Sequence, residues 1–238
     1  MSVSTSKEPA RIAGMFDAIA RRYDALNHLL SAGLDRRWRR QAIRALALTD
    51  RDVVLDVCTG TADLALAAVT PPDGAARQVV GVDFAAGMLR LGAAKVRAAG
   101  LSRRVQLVRG DATRLPVPSG ACDAAMVAFG IRNVVDPRAA LAELGRVLRP
   151  GGRLAILEFG LPRAPGLRPL YAWYFNRVLP RIGRLISSDQ DAYSYLPASV
   201  AQFPSDEAFA SWLRDAGFAD VQYRALAFGA VYLYRGRR

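Results

Sequence analysis

The stretch Val53-Val54-Leu55-Asp56-Val57-Cys58-Thr59-Gly60-Thr61-Ala62-Asp63 constrains this chain more than any other. Apolar β-formers run into an acid, a turn of small residues follows, and then comes the helix-like run Leu64-Ala65-Leu66-Ala67-Ala68-Val69. The pattern predicts a strand, a tight loop and a helix start, where backbone N–H groups and the positive helix end can meet a ligand's polar end. A second strand, Gln78-Val79-Val80-Gly81-Val82, ends in Asp83, placed to accept hydrogen bonds from ribose hydroxyls. Together they read as the nucleoside-binding half of a doubly wound α/β domain.

Strands and helices alternate beyond this point: strands at 51–57, 78–83, 104–109, 122–129 and 152–158, helices at 61–70, 85–99 and 137–148. Such alternation implies a parallel sheet covered on both faces. The break Arg149-Pro150-Gly151-Gly152 stops one helix and turns into the next strand. Ahead of the core, Phe16, Ile19, Tyr23, Leu26 and Leu30 follow helical steps, and a second, basic helix runs from about Asp35 to Leu48. Residues 161–204 interrupt the alternation with Tyr171, Trp173, Tyr174, Phe175, Tyr193 and Tyr195 among Arg163, Arg168, Arg177, Arg181 and Arg184. This insertion reads equally as a lid or acceptor pocket and as a small core of its own. A helix from about Asp206 to Ala216, capped by Ser205, and two β-like runs at 220–227 and 230–235 joined at Gly229 close the chain. The expected organisation is one domain, 1–238. It has an N-terminal helical cap (10–50), a cofactor-binding core (51–160), the insertion (161–204) and a C-terminal helix and hairpin (205–238).

Composition removes several classes. No apolar run approaches the roughly 18 residues of a membrane-spanning helix. Met1 to Pro9 shows no apolar leader, and Cys58, Cys122 and the single histidine, His28, supply neither a disulfide framework nor a zinc site. The cytoplasm is the expected compartment. The formal charge of +12 is almost all arginine, since only Lys7 and Lys95 are lysines. It reads as attraction to phosphates of nucleic acid or anionic lipid, or as a compositional habit.

Candidate site residues lie at successive strand ends. Asp56 would order the loop or receive a ligand's ammonium; otherwise it caps backbone N–H groups. Gly60 and Thr61 would give close backbone approach and a hydroxyl. Asp83 stands as the ribose acceptor, and Asp111, next to Ala112, as an acceptor for an adenine amino group or as a simple turn acid. Three acids along one sheet edge are far more specific than any one of them.

At this point the chain resembles a class I S-adenosylmethionine-dependent methyltransferase, and in particular the ubiquinone/menaquinone biosynthesis C-methyltransferases. Tyr23-Asp24-Ala25-Leu26-Asn27, then Leu30-Ser31 and Trp38, is similar to the family's N-terminal motif. Arg146-Val147-Leu148-Arg149-Pro150-Gly151-Gly152-Arg153-Leu154, then Leu157-Glu158, is similar to its second. Phe129-Gly130-Ile131-Arg132-Asn133 matches the stretch after strand four, and Tyr193-Ser194-Tyr195-Leu196 through Phe203-Pro204 resembles the lid. The resemblance implies a Rossmann-like α/β fold, its mostly parallel sheet closed by an antiparallel hairpin. It implies S-adenosylmethionine as cofactor and a polyprenyl quinol as acceptor, demethylmenaquinol ahead of 2-polyprenyl-6-methoxy-1,4-benzoquinol. Departures from the family are Cys58 and Ala62 at loop glycines, Ala128 at a serine, Leu26 at a methionine and Asp35 at a histidine. Cys58 points towards the members that methylate naphthoquinones.

The resemblance also places Arg132 and Asn133 at the chemistry. A guanidinium does not deprotonate, so Arg132 would stabilise a developing oxyanion, while Asn133 orients the ring or a water. The other reading of Arg132 is a loop-capping ion pair. His28 is either a base or a surface or packing residue. No metal is required. The acceptor's tail implies peripheral contact with the inner leaflet of the membrane, suited by basic residues in 21–44 and 163–184. A homo-oligomer is compatible with this reading, and no nucleic acid partner is expected. An RNA methyltransferase would want an Asn/Asp-Pro-Pro-aromatic loop or a Pro-Cys nucleophile, and a dehydrogenase GxGxxG; the chain has none of these. A non-catalytic cofactor-binding protein is the remaining alternative.

Overall fold

The computed structural model describes residues 8–31, 33–162 and 191–238. Two helices come first, α1 (Pro9–Leu30) and α2 (Leu34–Leu46). The alternating part follows as β1 (Val53–Val57), α3 (Asp63–Val69), β2 (Gln78–Asp83), α4 (Ala86–Ala98), β3 (Val105–Arg109) and β4 (Cys122–Ala128). A short 3-10 turn, Ile131–Asn133, leads to α5 (Pro137–Val147) and β5 (Leu148–Phe159). The chain ends with α6 (Asp191–Gln202), α7 (Asp206–Asp215), β6 (Ala219–Leu226), a 3-10 turn at Ala227–Gly229, and β7 (Val231–Arg237). The expectations for Arg163, Arg168, Tyr171, Trp173, Tyr174, Phe175, Arg177, Arg181 and Arg184 lie outside the described residues, as does the side chain of Tyr193.

The strands form one sheet in the order β3-β2-β1-β4-β5-β7-β6. β1 to β5 pair in parallel, and β7 runs antiparallel to both β5 and β6. The chain order reverses between β1 and β4, which opens a crevice beyond the strands' C-terminal ends. The central strands are apolar on both faces because both are covered: Val54, Leu55, Ala124, Ala125, Ile156 and Leu157 are all fully buried. One face packs Leu141 and Leu144 of α5 with Phe209 and Leu213 of α7; the other packs Trp38, Ile43 and Leu46 of α2 with Leu64 of α3.

Local chemistry sets the boundaries. Asp136 caps α5 by accepting from the Ala139 N–H (3.0 Å), with Pro137 at the first helical position. α3 starts at Asp63 because Ala62 sits at φ +67, outside helical space. β5 begins at Leu148, earlier than the glycine pair suggested, because that turn is itself paired: the Gly151 N–H donates to Arg238 O (2.7 Å) and the Arg238 N–H to Gly152 O (2.8 Å). Ser205 stands at the start of α7, but its side chain makes no capping bond.

α2 runs against the direction of the parallel strands. Near its start, Trp38 meets Phe129, the residue after β4, edge to face at 6.2 Å. At its other end, Arg153 of β5 donates to the carbonyls of Leu46 and Ala47 (both 2.8 Å) and to Asp52 Oδ1 (2.5 Å). The buried Asp52 also accepts from the Thr49 N–H (2.6 Å) and hydroxyl (3.1 Å). Burial alone would raise its carboxyl, but the Arg153 and Thr49 bonds outweigh that and hold it below the usual range. A depressed folded pKa gives stability that is present above pH 3.8 and lost as pH falls through the folded value. Asp52→Asn is therefore expected to cost about 2 kcal/mol at neutral pH in urea unfolding, and less below pH 4, from the loss of charged hydrogen bonds.

Candidate active site

A cavity opens at the strand-order reversal, beyond the ends of β1, β2 and β4. Its walls include Gly60 from the first loop, Asp83 from β2, Asp111 and Ala112 from the β3 loop, and Phe129 and Asn133 from the segment after β4. Ile12, Ala13 and Phe16 of α1 close it from the side.

The loop after β1 is held from below. Asp56 is buried and accepts the Thr59 hydroxyl (2.6 Å), while the Thr59 N–H donates to Val82 O on β2 (3.1 Å). The absence of a side chain at Gly81 makes room, since a Cβ there would lie 2.8 Å from the Thr59 hydroxyl. Burial, reinforced by the negative charge of Asp83, pushes the Asp56 carboxyl up to about 7 despite the Thr59 bond. Asp56 thus orders the loop from behind and does not itself line the cavity. Gly60 takes φ +57, and a Cβ there would enter open space, so its backbone is open to an approaching group.

Asp83 joins two loops. Its Oδ2 accepts from the Gly60 N–H (2.8 Å) and its Oδ1 from the Ala85 N–H (2.9 Å). Burial raises its carboxyl, partly offset by these backbone bonds. A carboxylate offers about four acceptor positions, so capacity remains for a hydroxyl hydrogen. Asp111 also lines the wall; its Oδ1 takes the Thr113 N–H (2.8 Å) and hydroxyl (2.9 Å) in a tight turn.

Thr61, Arg132 and His28 do not face the cavity. Thr61 is buried, and its hydroxyl donates to Asp24 of α1 (2.6 Å) instead of facing the cavity. Lys95 of α4 completes that cluster, bonding the Thr61 hydroxyl (2.9 Å), Asp24 (2.5 Å) and Asp63 (2.6 Å). Arg132 is only 5% exposed and lies behind the wall. Its Nη1 donates to Glu158 Oε1 (2.7 Å) and Phe129 O (2.6 Å), its Nε reaches the Ser199 hydroxyl (3.4 Å), and its guanidinium lies over the Phe159 ring at 5.1 Å. The ion-pair reading of Arg132 is the one its contacts realise. His28 Nδ1 lies 2.8 Å from Asp35 Oδ2, in a cluster with Ser31 and Arg39 at the α1–α2 junction, away from the cavity wall. The buried Asp35 is held below the usual range: burial opposes, but Arg39, His28 and Ser31 outweigh it.

Two buried oxygens remain without a hydrogen-bond partner among the described residues and bear on this region: Asn133 Oδ1, on the wall, and the hydroxyl of Tyr195 on α6. Burial raises the Tyr195 pKa against the opposing influence of Arg132, so the hydroxyl keeps its proton. Sequence reasoning missed Glu158, Lys95 and Asp24 as site builders. Glu158 carried the same signal as Asp56 and Asp83, an apolar run ending in an acid; the other two depend on contacts between distant segments. Asp83 acceptors, an open Gly60 backbone and an apolar wall at Val82, Phe84 and Met88 fit a nucleoside with a charged tail.

The comparisons agree. The family model for the ubiE/COQ5 methyltransferase family matches residues 3–238. The ubiquinone/menaquinone biosynthesis C-methyltransferase UbiE of Geobacter sulfurreducens is 46% identical over 96% of this chain and 88% of its own. The demethylmenaquinone methyltransferase of Thermus thermophilus is 47% identical over 94% of this chain and 100% of its own. Among solved structures, the [4+2]-cyclase SpnF superposes with a TM-score of 0.71 at 19% identity, over 97% of this chain and 96% of its own. Phosphoethanolamine N-methyltransferase 2 of Haemonchus contortus, in complex with S-adenosyl-L-methionine, gives 0.62 at 14% identity, over 85% and 52%. These two share the fold. Matched over residues 3–238, this S-adenosylmethionine-dependent methyltransferase belongs to the ubiE/COQ5 methyltransferase family.

Proposed function

We propose that the enzyme methylates a ring carbon of a reduced polyprenyl quinone, with demethylmenaquinol as the acceptor. The observation that carries this reading is the unmatched Asn133 Oδ1 on a wall otherwise rich in apolar groups. Buried polar atoms are normally paired, and a quinol hydroxyl, or the water that takes its proton, supplies the missing donor. The relatives named as demethylmenaquinone methyltransferases, 41–47% identical, support the naphthoquinol acceptor, as does Cys58 in the loop. The benzoquinol is the second reading, favoured by the UbiE name of relatives at 45–48% identity.

Bound S-adenosylmethionine supplies an electrophilic methyl group. The chain's part is to hold the acceptor in line and make its ring carbon nucleophilic, which requires the quinol hydroxyl to be ionised. A phenol-like hydroxyl ionises near about 10, so donors must favour the anion. We assign the donor role to the Tyr195 hydroxyl, and to Arg132 the placing of Asn133 and α6, since its guanidinium is already engaged by Glu158. Asp83 takes ribose hydroxyls, Asp111 and Ala112 flank the base, and Gly60 lets the backbone approach. Asp56 and Thr61 stabilise the loop, with Asp56 also favouring the cofactor's positive groups. In domain terms, α1 and α2 cap the core and 161–204 covers the acceptor. Among the described residues no helix is long and apolar enough to cross a membrane, so a bilayer acceptor implies a peripheral visit.

Purified enzyme given short-tail demethylmenaquinol or the corresponding benzoquinol should methylate the naphthoquinol at least tenfold faster by mass spectrometry. Turnover of the benzoquinol alone would overturn the assignment. Asp83→Ala should weaken S-adenosylmethionine binding about 10- to 100-fold in calorimetry, as expected for hydrogen bonds to a charged group. Asn133→Ala should leave that affinity within about threefold but lower kcat more than tenfold.

Asp56 supplies a pH signature. In the folded apoprotein its pKa is about 7, against 3.8 unfolded, so the folded state binds the extra proton between these values. Its stabilisation is complete below 3.8 and lost as pH rises through about 7. The urea midpoint of the apoprotein should fall between about pH 4 and 7 and level off above it, and Asp56→Asn should flatten that fall. S-adenosylmethionine affinity should rise severalfold as pH passes through about 7, because the ionised carboxylate favours a cation. A flat wild-type profile would sink this assignment.

A further inference from the structure

The feature left unused by the active site is a groove of about 980 Å³ between α2 and the β6–β7 edge of the sheet. Arg37, Arg40 and Arg44 line it from α2, and Arg224 and Arg235 from the strands. α2 buries Trp38, Ala42, Ile43 and Leu46 against the sheet, which turns these arginines outward. Opposing charge is scarce. Asp73 meets Arg44 at 2.6 Å and Arg40 at 4.0 Å, whereas Arg37, Arg224 and Arg235 have no carboxylate at ion-pair distance among the described residues. Arg224 instead meets Gln41 (2.6 Å) and Arg235 meets Gln222 (3.1 Å), contacts that orient a guanidinium without neutralising it. Five guanidinium groups against one carboxylate leave a strongly positive concavity with many free donors.

We infer that this face docks on the anionic phospholipid headgroups of a bilayer, an inference that rests on the reading of the acceptor as a membrane quinol. Charge complementarity identifies the occupant, because fork-shaped guanidinium groups match phosphate oxygens. The rim supports a lipid surface in particular. Phe228, in the turn between β6 and β7, is 78% exposed and held at φ +59, and Leu34, opening α2, is 41% exposed. Both stand at the C-terminal edge of the sheet, where α2 begins and β6 ends, the edge that carries the cavity. An apolar rim beside a basic face is the arrangement of interfacial anchors. Single-stranded nucleic acid fits less well, because it needs free aromatic platforms. The one aromatic in the groove, Tyr223, packs against Tyr232 and Tyr234 at 6.2 and 5.9 Å.

The test is co-sedimentation of the full chain with phosphatidylglycerol–phosphatidylcholine vesicles at low salt. The triple variant Arg37→Gln/Arg224→Gln/Arg235→Gln should partition about a hundredfold less, or fivefold per arginine, the ratio set by ~1 kcal/mol per surface cation. Arg90→Gln/Arg97→Gln/Arg103→Gln removes the same charge from exposed positions in α4 and the β3 approach and should lose less than tenfold. Phe228→Ser should reduce the retention that survives in 0.5 M salt, where charge is screened to about the closest contacts. Equal loss in both triple variants, unchanged retention in the groove variant, or displacement of wild type from vesicles by an RNA oligomer would overturn the inference. Both triple variants should methylate a short-tail quinol in solution at the wild-type rate. The two readings fail separately: a wild type inactive on that quinol overturns the acceptor, and retention indifferent to the groove overturns the surface.

Discussion

The carboxylate of Glu158 organises this site. It is buried at the end of β5 and accepts from Arg132 Nη1, from the Arg132 N–H (3.3 Å) and from the Phe159 N–H (2.8 Å). Arg132 in turn holds the Phe129 carbonyl and reaches Ser199 on α6. One desolvated ion pair thereby joins the ends of two central strands to α6, the helix within 161–204. Two charges out of water are compensated only when further donors and acceptors are matched, and here Phe129 O, Ser199 and two backbone N–H groups add to the pair. The backbone from Phe129 to Asn133 follows from that constraint. Phe129 sits at φ +60 with its ring between Trp38 and Phe159, and the next turn carries Asn133 onto the cavity wall. A mobile guanidinium could not hold the Phe129 carbonyl and the start of this turn in one place, which is the structural part that Arg132 plays from behind the wall.

The sheet was legible in the sequence because its signals are local. Apolar runs of strand length, helical periods and the breaks between them depend on neighbours a few residues away, and they locate every strand of the parallel core. Asp83 was legible for the same reason: a strand end beside a loop leaves its carboxylate little choice but the backbone N–H groups of Gly60 and Ala85. Thr61 and Arg132 were not, because side-chain direction is decided by partners far along the chain. Thr61 turns to Asp24, and Arg132 turns to a glutamate on the next strand. The helical cap is fastened in the same long-range manner: Asp17 of α1 accepts the Gly87 N–H at the start of α4 (2.7 Å). Such contacts explain how α1 comes to supply Ile12, Ala13 and Phe16 to the cavity, which no periodicity in its own sequence announces.

Fold alone says little about the reaction. A cyclase and an N-methyltransferase both superpose on this chain, so the shared sheet supports more than one chemistry. What narrows the reaction is the full-length family match together with the donors and acceptors offered past the end of β4. The two unmatched oxygens, Asn133 Oδ1 and the Tyr195 hydroxyl, form a complementary set: one accepts a hydrogen and the other donates one. On the proposed reading, a quinol passing from hydroxyl to anion would use both in turn.

The loop's missing glycines fit into the same geometry. Cys58 and Ala62 sit at φ +56 and +67, the left-handed region where a side chain costs about 1–2 kcal/mol relative to glycine. Both are tolerated because room is made elsewhere. A Cβ on Gly130 would lie 2.3 Å from the Cβ of Cys58, so the bulk at position 58 occupies the space that Gly130 leaves empty. Ala62 has a similar relation to Gly92, where an added Cβ would come within 3.3 Å. Burial, with the carboxylates of Asp83, Asp56 and Glu158 around it, pushes the Cys58 thiol far up, which keeps it a neutral packing group beside the cavity rather than a nucleophile. Strain in the first loop is accommodated by the space that glycine leaves in the turn after β4. A side chain at position 130 would collide with the one at position 58, so these two positions of the cavity are coupled.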